Sequence, residues 1–549
     1  MKVLLTSFNV SYIHKNLALR WLYVARDKSF DVTIREFTLK QELDACINEI
    51  CLKEYEIIAF SVYIWNAIMI RECIKRLLNR NPKLRIILGG PEVSFENDDW
   101  FDLGVEAIIQ GEGEFTLWQY LNREADLTNV KKRKYEKGIT QGKTDIAELE
   151  KLENPYFLEI DKQDISTRYL YLETSRGCPF NCSYCLSSLD RKIRYFSLAY
   201  LEQIFKQLNL FAVKQVKFLD RTFNVSEERA ISIGNMLLEN TQVTTFQFEI
   251  VADVLGKELI QFMLRKEAIK RFRYEVGIQS FNLKTLQGVS RTQNNERLIQ
   301  VIRNLVENGV ILHTDLIAGL PYEDYESFAT TFQTLFELMP SELQLGELKL
   351  LKGTSLREKS VQFGIQFESL PPYNIIKNNY LSIEEMKKIH LAAIGIDKSY
   401  NKGKLHYFIQ YMSQNYYQGE GMELFIEIGK VICDLGISYQ VQDLFLGIHE
   451  QFQALDTRLK YILILDYYNK VRQRPPFLFQ TITIQEKNRI KHILEENFFF
   501  DQKTIYSYTD IHKTYYNNKE CYLLVVYSTQ QEYASCYIFY LEDLTWEEL

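Results

Sequence analysis

The sequence predicts an α/β protein built in series: a doubly wound parallel sheet, then a parallel β/α barrel, then a mainly helical region that ends in a β-hairpin. Three observations carry this. Short β-branched or apolar runs alternate with amphipathic helical stretches over the first two thirds of the chain. Those runs end in turn residues, many of them glycine, at the rhythm of strand–helix–strand units. Beyond Pro371-Pro372 the alternation stops and helical periodicity takes over.

Strands are expected at 2–8, 32–37, 57–63, 85–90 and 107–111. Helices fill the gaps at Leu17–Arg26, Gln41–Leu52, Ala67–Asn79 and Glu114–Leu121. In a sheet of this kind ligands sit beyond the carboxyl ends of the strands. Here those ends carry Asn9–Lys15, Ser61–Asn66, Gly89-Gly90-Pro91-Glu92 and Gly111-Glu112-Gly113-Glu114. Glycine allows close approach of backbone to a ligand, although ordinary turn chemistry explains any single pair.

Residues 124–165 are polar and irregular and read as a linker with a small hairpin. A second series follows, with strands at 168–174, 215–220, 245–251, 271–279, 309–318 and 342–350. Helical segments near 197–209, 226–239, 256–266, 294–308 and 324–338 separate them. Six units in one direction make a partial or complete barrel, whose active site lies at the C-terminal strand ends. Ser382-Ile-Glu-Glu385 has capping-box form and opens the helical region. The runs 521–528 and 535–541 form the terminal hairpin. The expected domains are 1–123, a linker at 124–165, 166–370 and 381–549.

With 549 residues and 46% hydrophobic content, the chain has ample material for several cores. Lys+Arg number 65 against Asp+Glu 72, and the longest basic run, Lys131–Lys134, is short, so nucleic acid is not expected as an obligate partner. The opening MKVLLTSF is too short an apolar run for a signal peptide, and no stretch approaches the roughly 18 apolar residues of a membrane span. A cytoplasmic protein without membrane contact is expected. Of the nine cysteines, Cys46, Cys51, Cys73, Cys433, Cys521 and Cys536 lack regular spacing and are expected as buried free thiols.

The other three stand in SRGCPFNCSYC, residues 175–185, directly after the first barrel strand. Structural zinc wants four protein ligands, yet no other cysteine lies within ninety residues and no histidine within a hundred. Three thiolates, Cys178, Cys182 and Cys185, can instead hold three irons of a four-iron four-sulfur cluster and leave the fourth open to a small ligand.

The C-x3-C-x2-C spacing, with Tyr184 before the last cysteine and a β/α barrel around it, resembles the radical S-adenosylmethionine (SAM) superfamily. Phe218-Leu-Asp220-Arg-Thr-Phe223 is similar to the F-x-D-D-x-F element of the second strand, with Arg221 in place of its second Asp. Gly277-Ile-Gln279-Ser280 resembles G-x-Q-S, Asp315 to Glu323 resembles D-x-I-x-G-L-P-G-E with Tyr322 for Gly, and Lys352-Gly353-Thr354 resembles the last G-T element. The resemblance implies that the open iron chelates SAM. Backbone near Tyr184 and Ile317 would contact adenine, and Asp220, Glu249, Glu275 and Gln279 would contact ribose and methionine; loop-end carboxylates also serve as plain caps.

The N-terminal half resembles the cobalamin-binding class, through Ser61-Val-Tyr63-Ile-Trp65-Asn66, Gly89-Gly90 and Gly111-Glu112, and the whole chain resembles a subgroup with an uncharacterised C-terminal domain. Ser61, Tyr63, Asn66, Gly89, Gly90, Gly111 and Glu112 are the implied cobalamin contacts. No D-x-H-x-x-G element follows the first strand, and His14 reads as a loop histidine. The implied chemistry is reductive cleavage of SAM, fed by a flavodoxin or ferredoxin, and cobalamin-dependent methylation of an unactivated carbon. Three alternatives stand beside it. A cobalamin-dependent cyclase or rearrangement enzyme uses the same cofactors. A methylthiotransferase would hold a second cluster on Cys46, Cys51 and Cys73, which fall within predicted helices. A metal-dependent sensor or binding protein is the alternative outside catalysis. No catalytic residue, substrate or oligomeric state is legible. The region 381–549 is expected to cover the barrel mouth.

Replacing Cys178, Cys182 or Cys185 with alanine is expected to abolish cluster absorbance and SAM cleavage together, because each thiolate holds one iron. Cys46→Ala and Cys73→Ala should change neither; loss of iron from Cys73→Ala would break the single-cluster account.

Overall fold

The computed structural model describes the chain except residues 244, 472–481, 498–503, 506–508, 518, 527–534 and 549. It divides into two compact units, residues 1–325 with 338–340 and 347–383, and residues 326–337 with 341–346 and 384–549.

The first unit opens with the doubly wound sheet. Strands β1 (Lys2–Asn9), β2 (Asp31–Thr38), β3 (Ile57–Ser61), β4 (Arg85–Gly89) and β5 (Ala107–Ile109) alternate with helices α1 (Leu17–Val24), α2 (Leu43–Cys51), α3 (Ala67–Arg80) and α4 (Thr116–Leu121). The order of these five is β2-β1-β3-β4-β5, all parallel. Central β1 and β3 are buried almost throughout, as strands with both faces covered are, whereas edge strand β2 alternates. In α3, Ile70, Cys73, Ile74 and Leu77 recur at helical spacing and are wholly buried.

Residues 124–165 do more than connect. Val130–Lys131 forms β6, antiparallel to β5, and Gly111 bridges to Gly142. Asp161 is buried between Lys15 and Arg20, with Oδ1 at 2.8 Å from both. This segment therefore extends the edge of the first sheet and ties down the loop and helix that follow β1.

The cysteines correct one expectation. Cys46, Cys73, Cys521 and Cys536 are buried, but Cys51 and Cys433 are exposed. Cys51 is the last residue of α2, past the turn that faces the core, and Cys433 lies on the outer side of the helix Gly421–Asp434.

The second sheet of this unit follows the chain: β7 (Leu170–Leu172), β10 (Gln215–Phe218), β11 (Thr245–Ile250), β12 (Phe272–Gln279) and β13 (Ile311–Ala318) pair parallel in that order. Two short strands, β8 (Ser175–Arg176) and β9 (Arg194–Tyr195), pair antiparallel and bracket the cysteine loop. Along β11, β12 and β13 alternate residues are fully buried under the helices, and the intervening ones, Gln247, Glu249, Glu275, Gln279, His313, Asp315 and Ile317, line the opposite face. The remaining expected strand forms at Glu342–Glu347, and the helices near 197–209, 226–239, 256–266, 294–308 and 324–338 form with ends shifted by a few residues. Helices Lys266–Arg271 and Leu283–Gly288 were not anticipated, being short and without apolar periodicity.

The second unit is mainly helical, from Ile383–Gly395 to Ile484–Asn497. The expected hairpin strands form at Lys519–Val526 and Ser535–Tyr540, paired antiparallel, within a four-stranded antiparallel sheet that Thr509–Tyr516 and Thr545–Glu548 complete. The expected turn between them lies outside the described residues. The strand TDIHKTYY escapes notice in sequence because polar groups take core positions: His512 bonds Tyr468 Oη at 2.9 Å and the Thr514 hydroxyl donates to the Tyr461 carbonyl at 2.9 Å. Among the described residues no helix is long and apolar enough to cross a membrane.

Asp161→Ala would leave Lys15 with Asp164 and Arg20 with Glu36 as their remaining carboxylate partners. Chemical denaturation should show a loss of about 1–3 kcal/mol, the usual result of removing one acceptor from a buried charged network.

Candidate cofactor site

The cysteine loop leaves the barrel at Leu172, and its first turn is fixed from below. Asp220, 1% exposed, accepts hydrogen bonds from the Thr174 N–H (2.9 Å), the Thr174 hydroxyl (2.6 Å) and the Ser175 hydroxyl (2.6 Å). Gly177 has φ +97°, and a Cβ there would lie 2.5 Å from the Lys192 carbonyl oxygen, so only glycine fits where β8 passes the loop's return. The Cys178 N–H donates to the Asp190 carbonyl (2.9 Å), the Ser183 N–H to Val289 (2.9 Å) and the Cys185 N–H to Cys182 (3.1 Å). Cys178 and Cys182 are buried and Cys185 is half-buried.

Donors surround the sulfurs. Thr222 Oγ1 lies 3.7 Å from Cys178 Sγ, and Arg291 Nη1 lies 3.7 Å from Cys182 Sγ while its Nη2 donates to the Gly277 carbonyl. Burial pushes the Cys178 thiol up, so its thiolate needs compensating positive charge at the site. Three sulfur donors on one short loop, with N–H and O–H groups beside them, fit an iron–sulfur cluster. Among the described residues no three His, Cys, Asp or Glu side chains gather closely enough to hold a single metal ion.

The barrel face beneath is acidic. Glu249 stands 3.5 Å from Arg221; burial, opposed by Arg221 and reinforced by Glu275 and Asp315, pushes its carboxyl up to about 7, although a third of the side chain stays open. Glu275 is raised by burial and by Asp315, and accepts from Gln247 Nε2 at 3.0 Å. Gln279 has φ +69° at the register shift between β12 and β13, and its Oε1 is buried without a hydrogen-bond partner. That orphan acceptor points to a donor supplied from outside the chain. Ile317 is half-buried on β13. Tyr184 lies beside Cys182 and Arg291, and burial pushes its phenol well above the ordinary range.

The ends of the first sheet form a cleft of about 410 Å³. Its walls include Ser61, Tyr63, Gly89, Gly90, Gly111 and Glu112, with Leu186, Leu189 and Asp190 of the cysteine loop completing it. Gly90 has φ +105°, and a Cβ would lie 2.5 Å from the Val62 carbonyl oxygen. Asn66 is wholly buried: its Nδ2 donates to Ser7 Oγ and the Phe8 carbonyl, and its Oδ1 accepts the Tyr63 N–H. It braces the end of β3. The Glu112 carboxylate is held by Arg194 and Arg176. A second cavity, about 500 Å³, is bordered by His14, Trp21, Tyr171, Arg221 and the stacked pair Tyr63–Trp65. His14 Nδ1 meets Tyr171 Oη at 2.6 Å, and burial and Lys217 lower its pKa. Glycine-lipped strand ends above an apolar wall fit a large flat ligand with a narrow tail, as cobalamin is.

Sequence reasoning missed Arg291, Thr222, Arg176, Arg194 and Asp190. Arg291 lies in a loop with no periodicity and no marking neighbour, whereas Thr222 stands within the Phe218–Phe223 element, at a position that element leaves open.

Profile comparisons agree with this geometry. The radical SAM superfamily matches residues 172–335, the B12 binding domain residues 4–120, and a domain of unknown function, DUF4080, residues 361–539. The chain is a radical SAM superfamily protein with an N-terminal B12-binding domain. Within that class it is of the kind that carries the DUF4080 domain at its C-terminal end. The cofactors that go with the two matched domains are a four-iron four-sulfur cluster, SAM and cobalamin.

An uncharacterized methyltransferase of Pyrococcus horikoshii is 24% identical over 349 residues, covering 60% of this chain and 74% of that one. The cobalamin-dependent radical SAM methyltransferase TokK of Streptomyces tokunonensis is 25% identical, covering 57% of this chain, which spans 50% of the TokK length. The fold is similar to that of the cobalamin-dependent SAM radical enzyme OxsB with aqua-cobalamin and SAM bound, at TM-score 0.59 and 17% identity, covering 86% of this chain and 80% of that one. The second-cluster alternative is not favoured: Cys46 and Cys73 are packed in the core between α2, α3 and the sheet, away from the strand ends.

Glu249 gives a pH signature. Its folded pKa, about 7, is above the ordinary 4.5, so the folded state holds a proton that the unfolded state has released. Stability is therefore expected to fall as pH rises from about 4.5 to about 7 and then level off. Glu249→Gln should flatten that slope in denaturation series. Asp220→Asn, which replaces an acceptor with a donor facing Thr174 and Ser175, should lower iron retention and cost about 1–3 kcal/mol.

Proposed function

We propose that this protein is a cobalamin-dependent radical SAM methyltransferase acting on an unactivated carbon of its substrate. The observation that carries the reading is the shared wall: Leu186, Leu189 and Asp190 of the cysteine loop and the glycine ends of β4 and β5 border one cleft. Two cofactors bound to those elements would lie side by side, as a methyl carrier and a source of substrate radicals must.

Cys178, Cys182 and Cys185 would hold the cluster, with Arg291 donating toward the Cys182 sulfur and the Thr222 hydroxyl packed beside the Cys178 sulfur. Glu249, Glu275, Gln279, Ile317 and the backbone at Tyr184 would border SAM, the orphan Oε1 of Gln279 accepting from it. Ser61, Tyr63, Gly89, Gly90 and Gly111 would border the corrinoid, while Asp220, Asn66 and Glu112 act by holding the loops in place. When bound, the cluster supplies the electron for SAM cleavage and cobalamin carries a methyl group. A cytoplasmic flavodoxin or ferredoxin would deliver that electron. The division into 1–123, 166–370 and 381–549 completes the proposal.

The test is anaerobic reconstitution of the full chain with iron, sulfide and hydroxocobalamin, followed by reduction with methyl-labelled SAM. Stoichiometric corrinoid, 5′-deoxyadenosine and transfer of label to the corrinoid are expected. A chain that retains no corrinoid, or that forms no 5′-deoxyadenosine, is not this enzyme.

A further inference from the structure

We propose that Glu112 and Arg194 form a positioning pair that couples ligand occupancy of the glycine-lined cleft to the geometry of the cysteine loop. The proposal rests on the cofactor reading above. Glu112 stands in the turn after β5 between Gly111 and Gly113, all three on the cleft wall. Its carboxylate accepts from Arg194 at 2.5 and 2.9 Å, from Arg176 at 3.1 Å and from the Thr144 N–H at 2.7 Å. Arg194 also bonds the Asp190 carboxylate at 2.8 Å, and the Asp190 carbonyl accepts the Cys178 N–H at 2.9 Å. The path from cleft wall to first cluster cysteine thus has no gap.

A second route runs beside it. Arg176, two residues before Cys178, grips Glu173 through two nitrogens, at 3.0 and 2.7 Å, and reaches Glu114 at 2.7 Å. Arg176 is 11% exposed, Arg194 15% and Glu112 23%. Breaking one contact leaves the remaining partly buried charges with fewer partners, so the positions of the linked loops depend on one another. Asp190 belongs both to this path and to the cleft wall, which gives a ligand in the cleft a direct hold on the cysteine loop. Coupling of this kind is reciprocal: whatever SAM on the cluster does to corrinoid affinity, the corrinoid does to SAM affinity.

The test uses the cluster-loaded full chain. Hydroxocobalamin Kd is measured anaerobically with and without SAM, and the electron paramagnetic resonance spectrum of the reduced cluster is recorded with and without hydroxocobalamin. In the wild type, SAM is expected to change the Kd about fivefold or more, and the corrinoid to move the cluster g-values. In Glu112→Gln and in Arg194→Met both effects should collapse while both cofactors still bind, and the double variant should add nothing to either single one. Glu112→Asp should restore part of the coupling, which a merely structural contact would not require. Where Glu112→Gln fails to fold, Arg194→Lys, which keeps the charge and loses the fork, is read the same way. Undiminished coupling in the single variants, or a wild type that binds corrinoid without coupling, overturns the pair alone. A wild type that takes up cluster but no corrinoid overturns the cofactor reading with it.

Discussion

The site depends on one buried carboxylate. A loop that presents three cysteines within eight residues has little secondary structure of its own: the two-residue pairing of β8 with β9 and a 3-10 turn at Leu186–Leu189. Asp220 supplies the missing anchor from the next barrel strand, taking three hydrogen bonds from residues 174 and 175. Burial raises the pKa of this group, and the three donors oppose that rise by stabilising the anion. The loop is therefore tied to the barrel by an interaction that is costly to half-satisfy.

Above that anchor, ion pairs tie the first sheet to the linker and the barrel, beside apolar contacts such as Trp21 stacked on Phe196. Lys15 and Arg20 close on Asp161, Arg176 and Arg194 on Glu112, and Lys352 on Glu92. An apolar seam of the same area would hold as well, but it would tolerate sliding. Arginine forks and carboxylates satisfy one another in few geometries, which suits a joint that must align two cofactors.

Much of this was legible in order along the chain. The glycine-ended strands, the C-x3-C-x2-C loop and the alternation of β11, β12 and β13 are local patterns, and the structure forms them where spacing put them. Asp220 was legible as a strand-end carboxylate, but its bonds to Thr174 and Ser175 were not. The partners of Asn66 and Glu112 were equally out of reach of the sequence, since they come from other strands and loops. The strand Thr509–Tyr516 and the exposed Cys51 escaped because the partners that decide them, Tyr468, Tyr461 and the side of α2 turned from the core, are distant in sequence or set by helix phase.

By itself the sequence determined which elements form and which cysteines and glycines stand at their ends, since thiolate spacing, glycine turns and hydrophobic period are properties of neighbours along the chain. Only the tertiary structure decided what those residues touch: Arg291 beside Cys182, Arg194 between Glu112 and Asp190, Gln279 with an empty acceptor. Long-range ion pairs and hydrogen bonds depend on where loops from different strands come to rest, and no local pattern encodes that distance.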